Sequence, residues 1–481
     1  MMSLRELLNC LQIVVAEDCE INSISLDSRA VGAGTLFCAY PGSQVDGRDF
    51  IAQAQNQGAA AVVYEATQFK LPETIDIPAY AVADLQNRVG VIAAEFYRKP
   101  SSELQVFGVT GTNGKTTCAT LLVQAFELLG LRAAMIGTLG SGALEQLSYA
   151  GQTTPDPISL QKILREYADA GVTQVCMEVS SHALSQGRVA GVEFFCTLFT
   201  NLSRDHLDYH GDMQNYFAAK QSLFSAYKSD LSVVNVADQY GLKIIDSASS
   251  EFLVSYGFGG DVFAEEVHLK DDGIALEIEG NGVSFDVSTS LVGAINVPNL
   301  ELLIATLLAL STPVEQVIEI CHKLKPAPGR MELYKAKNGA SIVIDYAHTP
   351  DALEKSLGSV REHCVGKLVC VFGCGGDRDT GKRPVMGAAA DELADVVIVT
   401  NDNPRSEAPR AIAAEIVCGI KGEHQIELDR AIAINMAITQ AQADDWVLIA
   451  GKGHETTQEI NGQVLEFSDR QYVQSILEAA A

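Results

Sequence analysis

The segment GVTGTNGKTT, residues 108–117, follows an apolar run and precedes a long amphipathic pattern. Glycines in such a turn let backbone N–H groups curl around phosphate oxygens, and a helix N-terminus adds a positive end. In that setting Gly111, Thr112, Asn113 and Gly114 form the cradle. Lys115 reaches terminal phosphates, and Thr116, with Thr117 beside it, offers a hydroxyl to Mg2+. The chemistry indicated is the handling of a nucleoside triphosphate. The spacing departs from the standard phosphate loop: the glycine expected five residues before Gly114 is Val109, and glycines fall at 108, 111 and 114 instead.

Two further runs carry titratable groups. MEVSSH ends with Glu178, Ser180 and His182, and NLSRDHLDYHG spans Asn201–Gly211 with His206 inside it. A carboxylate and an imidazole at neighbouring strand ends can hold Mg2+, which favours oxygen ligands. His206 by itself reads as a structural loop histidine. In YFAAKQSLF, Lys220 lies on an apolar-faced helical pattern, where spacing alone favours a snorkelling lysine.

Apolar strands must place these groups. LQVFGVT, TQVCMEVSS and FFCTLFTNLS each end in polar residues, and ligands gather at the carboxyl ends of strands in open α/β sheets. A helix is predicted from about Asn299 to Leu310, with Pro298 just before it. KPAPGRMEL, residues 325–333, reads as a linker. Beyond it ASIVIDYAH, KLVCVFGCGG, DVVIVTNDN and DWVLIAGKG read as four apolar strands of a second parallel α/β domain. Before residue 100 the chain shows short strand-like runs and turns such as Pro41-Gly42. There is no internal repeat of fixed period.

The 481 residues suggest about three domains. A net charge of −27 disfavours a nucleic-acid or anionic-membrane binder, and solubility explains it simply. The eleven cysteines are scattered without a CxxC pair, as in a reducing cytosol. Met1–Cys10 lacks the apolar core of a signal peptide, and Leu302–Leu310 is too short to span a bilayer.

TGTNGKTT, MEVSSH, NLSRDHLDYHG, GRME, DYAHTPD, GCGGDRDTGKRP, DNPR and GKGHE occur in that order along essentially the whole chain. Each is a modest signal, but the ordered set is specific. It resembles the Mur ligases, most closely those that extend a UDP-N-acetylmuramoyl dipeptide by one amino acid. The resemblance implies an α/β chain of three domains: a small UDP-binding N-terminal α/β domain (1–98), a central P-loop ATPase with a parallel sheet (99–327), and a Rossmann-like amino-acid-binding domain (328–481).

It further implies that ATP phosphorylates the D-glutamate carboxylate, and that the amine of the incoming amino acid attacks the acyl phosphate. Lys115 and Thr116 would then hold phosphates and Mg2+, with Glu178 and His206 completing the metal site. Lys220 matches a family lysine that carries a carbamate, which reverses the reading from spacing. Asn299, Arg330 and Asp345 match positions near adenine and ribose, with His348 close by as a catalytic-site residue. Ser28 matches a UDP contact, and Thr153, Thr154, Ser180, Gln186 and Arg188 match residues that hold the muramoyl-peptide.

The added amino acid is implied by Asp402, Asn403, Pro404 and Arg405 of DNPR, which resembles the motif of meso-diaminopimelate-adding enzymes. Diaminopimelate has one carboxylate more than lysine, and an arginine fork pairs with carboxylates in bidentate fashion. Lysine would leave Arg405 unpaired, which rejects it. Arg378, Gly451 and Glu455 match further contacts to this substrate.

The implied substrates are therefore ATP, UDP-N-acetylmuramoyl-L-alanyl-D-glutamate and meso-diaminopimelate, in the peptidoglycan precursor synthesis that serves cell wall, shape and division. A cytoplasmic monomer with neither nucleic-acid partner nor membrane insertion is expected. The alternatives are the same reaction with L-lysine or another diamino acid, a folylpolyglutamate synthase or other Mur ligase, an inactive binding module, and a P-loop NTPase switch acting on a protein.

Overall fold

The computed structural model describes residues 1–42, 45–148 and 151–479. It is a mixed α/β protein with a small N-terminal domain, a central parallel-sheet domain and a C-terminal domain. By packing, the chain separates into two compact units: 1–115, 122–234 and 238–253 form the first, and 116–121, 235–237 and 254–481 the second.

In the first unit, a four-stranded parallel sheet runs in the order Ser23–Ser25, Thr35–Ala39, Ala59–Glu65, Ala79–Val82. The strand–loop–strand expected around LDSRAVGAGTLF is present, with a 3-10 turn, Ser28–Ala30, in its loop. The same unit contains the phosphate-loop sheet. Its parallel strands run Ser229–Asn235, Phe194–Phe199, Gln105–Thr110, Gln174–Glu178, Ala133–Gly137, and Gly140–Gly142 pairs antiparallel with the last of these. These strands read as continuous apolar runs because nearly every residue is buried, as in a sheet covered on both faces. Parallel pairing puts their carboxyl ends together. Glu178 is in register with Val109, and Thr200 N–H donates to the Thr110 carbonyl at 3.0 Å.

In the second unit an antiparallel meander, Val262–Lys270, Gly273–Gly280 and Val283–Thr289, accompanies the helix Val297–Ala309. The helix starts two residues earlier than predicted, with Pro298 inside its first turn. The N–H that proline lacks has no intrahelical acceptor there, so proline is tolerated.

The C-terminal sheet runs Glu332–Lys335, Ser341–Asp345, Trp446–Ala450, Leu368–Phe372, Val396–Val399, His424–Ile426, with the first strand antiparallel. The four predicted strands form its centre. Alternate residues face two separate cores: Cys370, Phe372, Val397 and Leu448 in one, Val369, Val371, Ile398 and Val447 in the other. The two edge strands and the hairpin Thr457–Ile460 with Gln463–Glu466 escaped prediction.

All eleven cysteines are free, and Cys176, Cys196 and Cys370 are buried as expected. Among the described residues no helix is long and apolar enough to cross a membrane.

Candidate active site

The phosphate loop sits where strand Gln105–Thr110 meets helix Lys115–Leu128. Gly114 supplies the left-handed residue (φ 85°) that admits the chain to the helix. Gly111 (φ 148°) is required twice over: a Cβ there would lie 1.9 Å from Thr200 Oγ1. The loop is braced by the next strand end. Thr112 N–H donates to the Asn201 carbonyl (2.8 Å), Asn113 N–H to Asn201 Oδ1 (3.0 Å), and Thr200 Oγ1 to the Asn113 carbonyl (2.6 Å). The Thr112 hydroxyl meets Tyr216 OH at 3.1 Å.

Two lysines converge on one acceptor. Lys115 Nζ donates to the carbonyls of Gly111 and Thr112, both at 2.8 Å. Lys220 Nζ donates to the same Gly111 carbonyl at 2.7 Å and lies over the Tyr216 ring. Lys220 does not snorkel; it is 1 % exposed. Burial, and then the neighbouring Lys115 charge, drive its pKa well below the usual lysine value, against an opposing pull from Asp205. Taking an amine out of water disfavours its charged form.

Glu178 is buried at the end of its strand. Its Oε1 accepts from Thr138 N–H (2.7 Å) and its Oε2 from the Thr138 hydroxyl (3.3 Å). Thr138 continues to Thr153 (hydroxyls 3.1 Å apart), and the Thr154 hydroxyl donates to the Glu178 carbonyl (2.9 Å) and accepts from Ser180 N–H (3.2 Å). Arg188 Nη1 donates to the Thr154 carbonyl (2.9 Å), while its Nε and Nη2 fork onto Gln186 Oε1. The five residues expected to hold a muramoyl-peptide thus form one network that reaches Glu178. Ser28 lies outside it, buried in the N-terminal domain with its hydroxyl on Gln53 Oε1 (3.3 Å).

His206 occupies a left-handed backbone position (φ 52°) and faces Asp205 and the His182 ring, whose centroid is 4.8 Å away. Desolvation and the Lys115 and Lys220 charges lower its pKa, against Asp205. His182 is pushed down to about 4 by burial and by His206, His210 and Arg188. Among the described residues no three His, Cys, Asp or Glu converge as a metal-holding group. Of the residues expected to hold Mg2+, Glu178 has its carboxylate on Thr138 and Lys220 its amine on the Gly111 carbonyl.

In the second unit Arg330 stacks on Tyr346 (4.4 Å) and its Nη2 reaches Thr116 Oγ1 at 3.5 Å. Cys118 Sγ lies 3.3 Å from Asn299 Oδ1, and Asn299 Nδ2 donates to Asn296 Oδ1 (3.0 Å). Asp345 spends both oxygens on the chain, accepting from the N–H groups of Met331 and Ala347 and from the Ser356 hydroxyl. This anchors the turn that carries Arg330. His348 Nδ1 lies 2.8 Å from the Tyr346 carbonyl, and its own carbonyl accepts from Lys382.

DNPR and GKGHE meet in one constellation. Asn403 Nδ2 donates to Glu455 Oε2 (2.9 Å), which also pairs with the fully buried Lys452 (2.9 Å). Asp402 is buried beside Gly451, where a Cβ would lie 2.6 Å from Asp402 Oδ2, and burial raises its pKa. Pro404 is buried; Arg405, at φ 52°, donates from Nη1 to the Gly376 carbonyl (2.8 Å) and faces Glu459 (3.5 Å). It is not a solvated turn residue. Arg378 is exposed on the neighbouring loop. Sequence reading passed over Thr138, Gly137 and Tyr216, whose partners are remote in the chain, and Lys452, which only its place inside GKGHE pointed to.

Three family matches cover the chain: Mur ligase family, catalytic domain, at 20–97; Mur ligase middle domain at 109–309; and Mur ligase, glutamate ligase domain, at 329–453. The chain is 45% identical over 476 residues to UDP-N-acetylmuramoyl-L-alanyl-D-glutamate--2,6-diaminopimelate ligase of Coxiella burnetii (strain RSA 493 / Nine Mile phase I), covering 97% of each. A solved structure of a ligase of that same name matches with a TM-score of 0.74 and 34% identity over 100% of this chain and 99% of that one. The MurF ligase of Thermotoga maritima in complex with ADP matches at 20% identity and a TM-score of 0.61, over 95% and 98%, and bears on the fold alone. With its phosphate loop, strand-end acid and C-terminal constellation in the family's order, the chain belongs to the Mur ligase family.

Proposed function

We propose that the chain is an ATP-dependent ligase that adds meso-2,6-diaminopimelate to UDP-N-acetylmuramoyl-L-alanyl-D-glutamate, in peptidoglycan precursor synthesis. The observation that carries this reading is the single network from Arg188 through Thr154 and Thr138 to Glu178, on strand ends adjacent to the phosphate loop. Residues 1–98 take the UDP end, with Ser28, 99–327 take ATP, and 328–481 take the amino acid.

Arg188, with Thr153, Thr154, Ser180 and Gln186, orients the muramoyl-peptide so that the D-glutamate carboxylate faces the loop. The loop N–H groups and Lys115 bind the γ-phosphate, and Asn299, Arg330 and Asp345 hold the nucleoside, with His348 beside them. Carboxylate and γ-phosphate repel, so positioning and charge neutralisation carry most of the catalysis. Mg2+, held by Thr116, Glu178, His206 and a carbamylated Lys220, would supply that neutralisation when bound. Carboxylate attack releases ADP; the amine then attacks the acyl phosphate and expels phosphate, leaving an amide. Arg378, Arg405, Asp402, Asn403, Pro404, Gly451 and Glu455 receive the distal amino-acid centre of the incoming substrate. The protein acts as a cytoplasmic monomer on small-molecule substrates.

The test supplies ATP, Mg2+, the UDP-dipeptide and one amino acid at a time, following phosphate release and product mass. Diaminopimelate-dependent release with a tripeptide product is expected. Release without amino-acid dependence overturns the reading, and faster turnover with lysine overturns the specificity.

A further inference from the structure

The two arginines assigned to the incoming amino acid sit on separate loops, 373–381 and 400–407; Arg378 is exposed and Arg405 only partly covered. Arg383, on the helix Lys382–Leu393, is fully buried yet charged. Its Nη1 donates to Glu407 Oε2 and Glu415 Oε2 (both 2.9 Å), and its Nη2 to Glu407 Oε1 (2.8 Å) and to the Gly375 carbonyl (3.2 Å). Glu407 in turn accepts from Asp377 N–H, and the Asp377 carboxylate accepts from Ser406 N–H (3.1 Å) and from the Ser406 hydroxyl (2.7 Å). Gly376 N–H donates to the Asn403 carbonyl at 2.9 Å. The loops are pressed together: a Cβ on Gly376 would lie 2.0 Å from the Pro404 carbonyl oxygen.

Resting on the functional reading above, we propose that Arg383, with Glu407 and Asp377, is a positioning clasp that sets the spacing of Arg378 and Arg405 and thereby the discrimination for a second carboxylate on the incoming amino acid. Arg383 touches no substrate. It acts by ordering both loops before binding, which removes an entropic cost from carboxylate capture. A buried bidentate Arg–carboxylate pair is suited to this, because its planar fork fixes direction as well as distance. Consistently, the Arg383 and Asp377 hydrogen bonds hold Glu407 at about 2, ionised throughout the working range.

The experiment compares wild type with Arg383→Lys and Asp377→Asn. The lysine keeps the charge and loses the fork. The asparagine alters an exposed position, so folding is retained, and asparagine tolerates the left-handed backbone there (φ 54°). Initial rates are measured against ATP, UDP-dipeptide, diaminopimelate and lysine.

Arg383→Lys should raise the KM for diaminopimelate roughly tenfold, well short of the ~100-fold that a 1 Å misplacement can cost. The ratio of kcat/KM for diaminopimelate over lysine should fall by a similar factor. The KM values for ATP and UDP-dipeptide should not move. Asp377→Asn should shift the same two readouts in the same direction by a smaller factor, and does so even if Arg383→Lys does not fold. An unchanged diaminopimelate KM and unchanged ratio in Asp377→Asn and in any folded Arg383→Lys overturn the clasp. So does an equal loss of kcat with both amino acids, as a purely structural role predicts. A wild type with no diaminopimelate turnover overturns instead the functional reading beneath it.

Discussion

Gly137→Ala tests whether Glu178 must occupy its observed place. Gly137 ends the strand Ala133–Gly137, and its φ lies outside the left-handed range, so alanine suits the backbone. The side chain does not suit the space. An added Cβ would lie 2.3 Å from Glu178 Oε1, 2.9 Å from its Cγ and 3.0 Å from its Cδ, where ordinary contact begins at 3.4 Å. The carboxylate must retreat by about 1 Å, since dispersion contacts turn repulsive at shorter range. It then loses the 2.7 Å bond from Thr138 N–H. A hydrogen bond to a charged group contributes about 1.5–3 kcal/mol. Alanine returns about 0.4–1 kcal/mol through the unfolded chain. The fold should thus weaken by only one or two kcal/mol, while a 1 Å displacement of a positioned group costs about 100-fold in rate. The assay is ADP release across a Mg2+ titration. The variant should show roughly 100-fold lower kcat and a higher Mg2+ requirement at near-native melting temperature. Glu178→Asp, one methylene shorter, should lose activity alone, and Gly137→Ala should add little to that loss because both act on one carboxylate. Wild-type kcat and Mg2+ dependence in Gly137→Ala would refute the reasoning.

Lys220→Ala should lose most activity, and small carboxylates should partly restore it by standing in for the carbamate; near-normal activity in the variant sinks that role. Arg405→Lys keeps the charge but forfeits the fork, so diaminopimelate kcat/KM should fall about 10- to 100-fold, the loss of one charge-assisted hydrogen bond. Lysine should be affected far less, and equal losses for both substrates would contradict the assignment. Glu301 is buried on the helix Val297–Ala309 and accepts from Ala264 N–H at 2.8 Å; burial raises its pKa from 4.5 to about 7, the Ala264 bond opposing. Its folded form therefore binds more protons, so its contribution to stability is present below pH 4.5 and is lost as pH rises through about 7. Glu301→Gln should flatten the melting temperature across that window, and an unchanged pH profile would refute the assignment.

The strand–loop–helix of residues 105–128 and the four central C-terminal strands were legible because their signals are local. A strand covered on both faces has to be apolar throughout, and a phosphate loop has to be rich in glycine. The meander Val262–Thr289 was not legible: Val262–Lys270 exposes most of its residues, so no apolar run marks it. The edge strands Glu332–Lys335 and His424–Ile426 are similarly short and only partly buried. Lys220 shows the limit for single residues. Spacing alone made it a snorkelling lysine, because periodicity reports which face is apolar and says nothing of what closes over it. In the fold its amine points inward to a carbonyl 109 residues away.

The ordered motifs by themselves determined the family, and with it the expected division of labour, since residue types at short spacing declare loops, caps and carboxylate forks. The net charge of −27 excluded polyanion surfaces but was silent on Arg188, Arg330, Arg378 and Arg405, which lie in or beside small motifs. Tertiary structure decided which groups share a partner: Lys115 with Lys220 on Gly111, Glu178 with Thr138 against Gly137, Arg383 with Glu407 and Glu415. Those pairings join residues up to 109 positions apart in the chain. Their energies depend on desolvation and on distances of a few ångströms, quantities that exist only once the strands have paired and water has left.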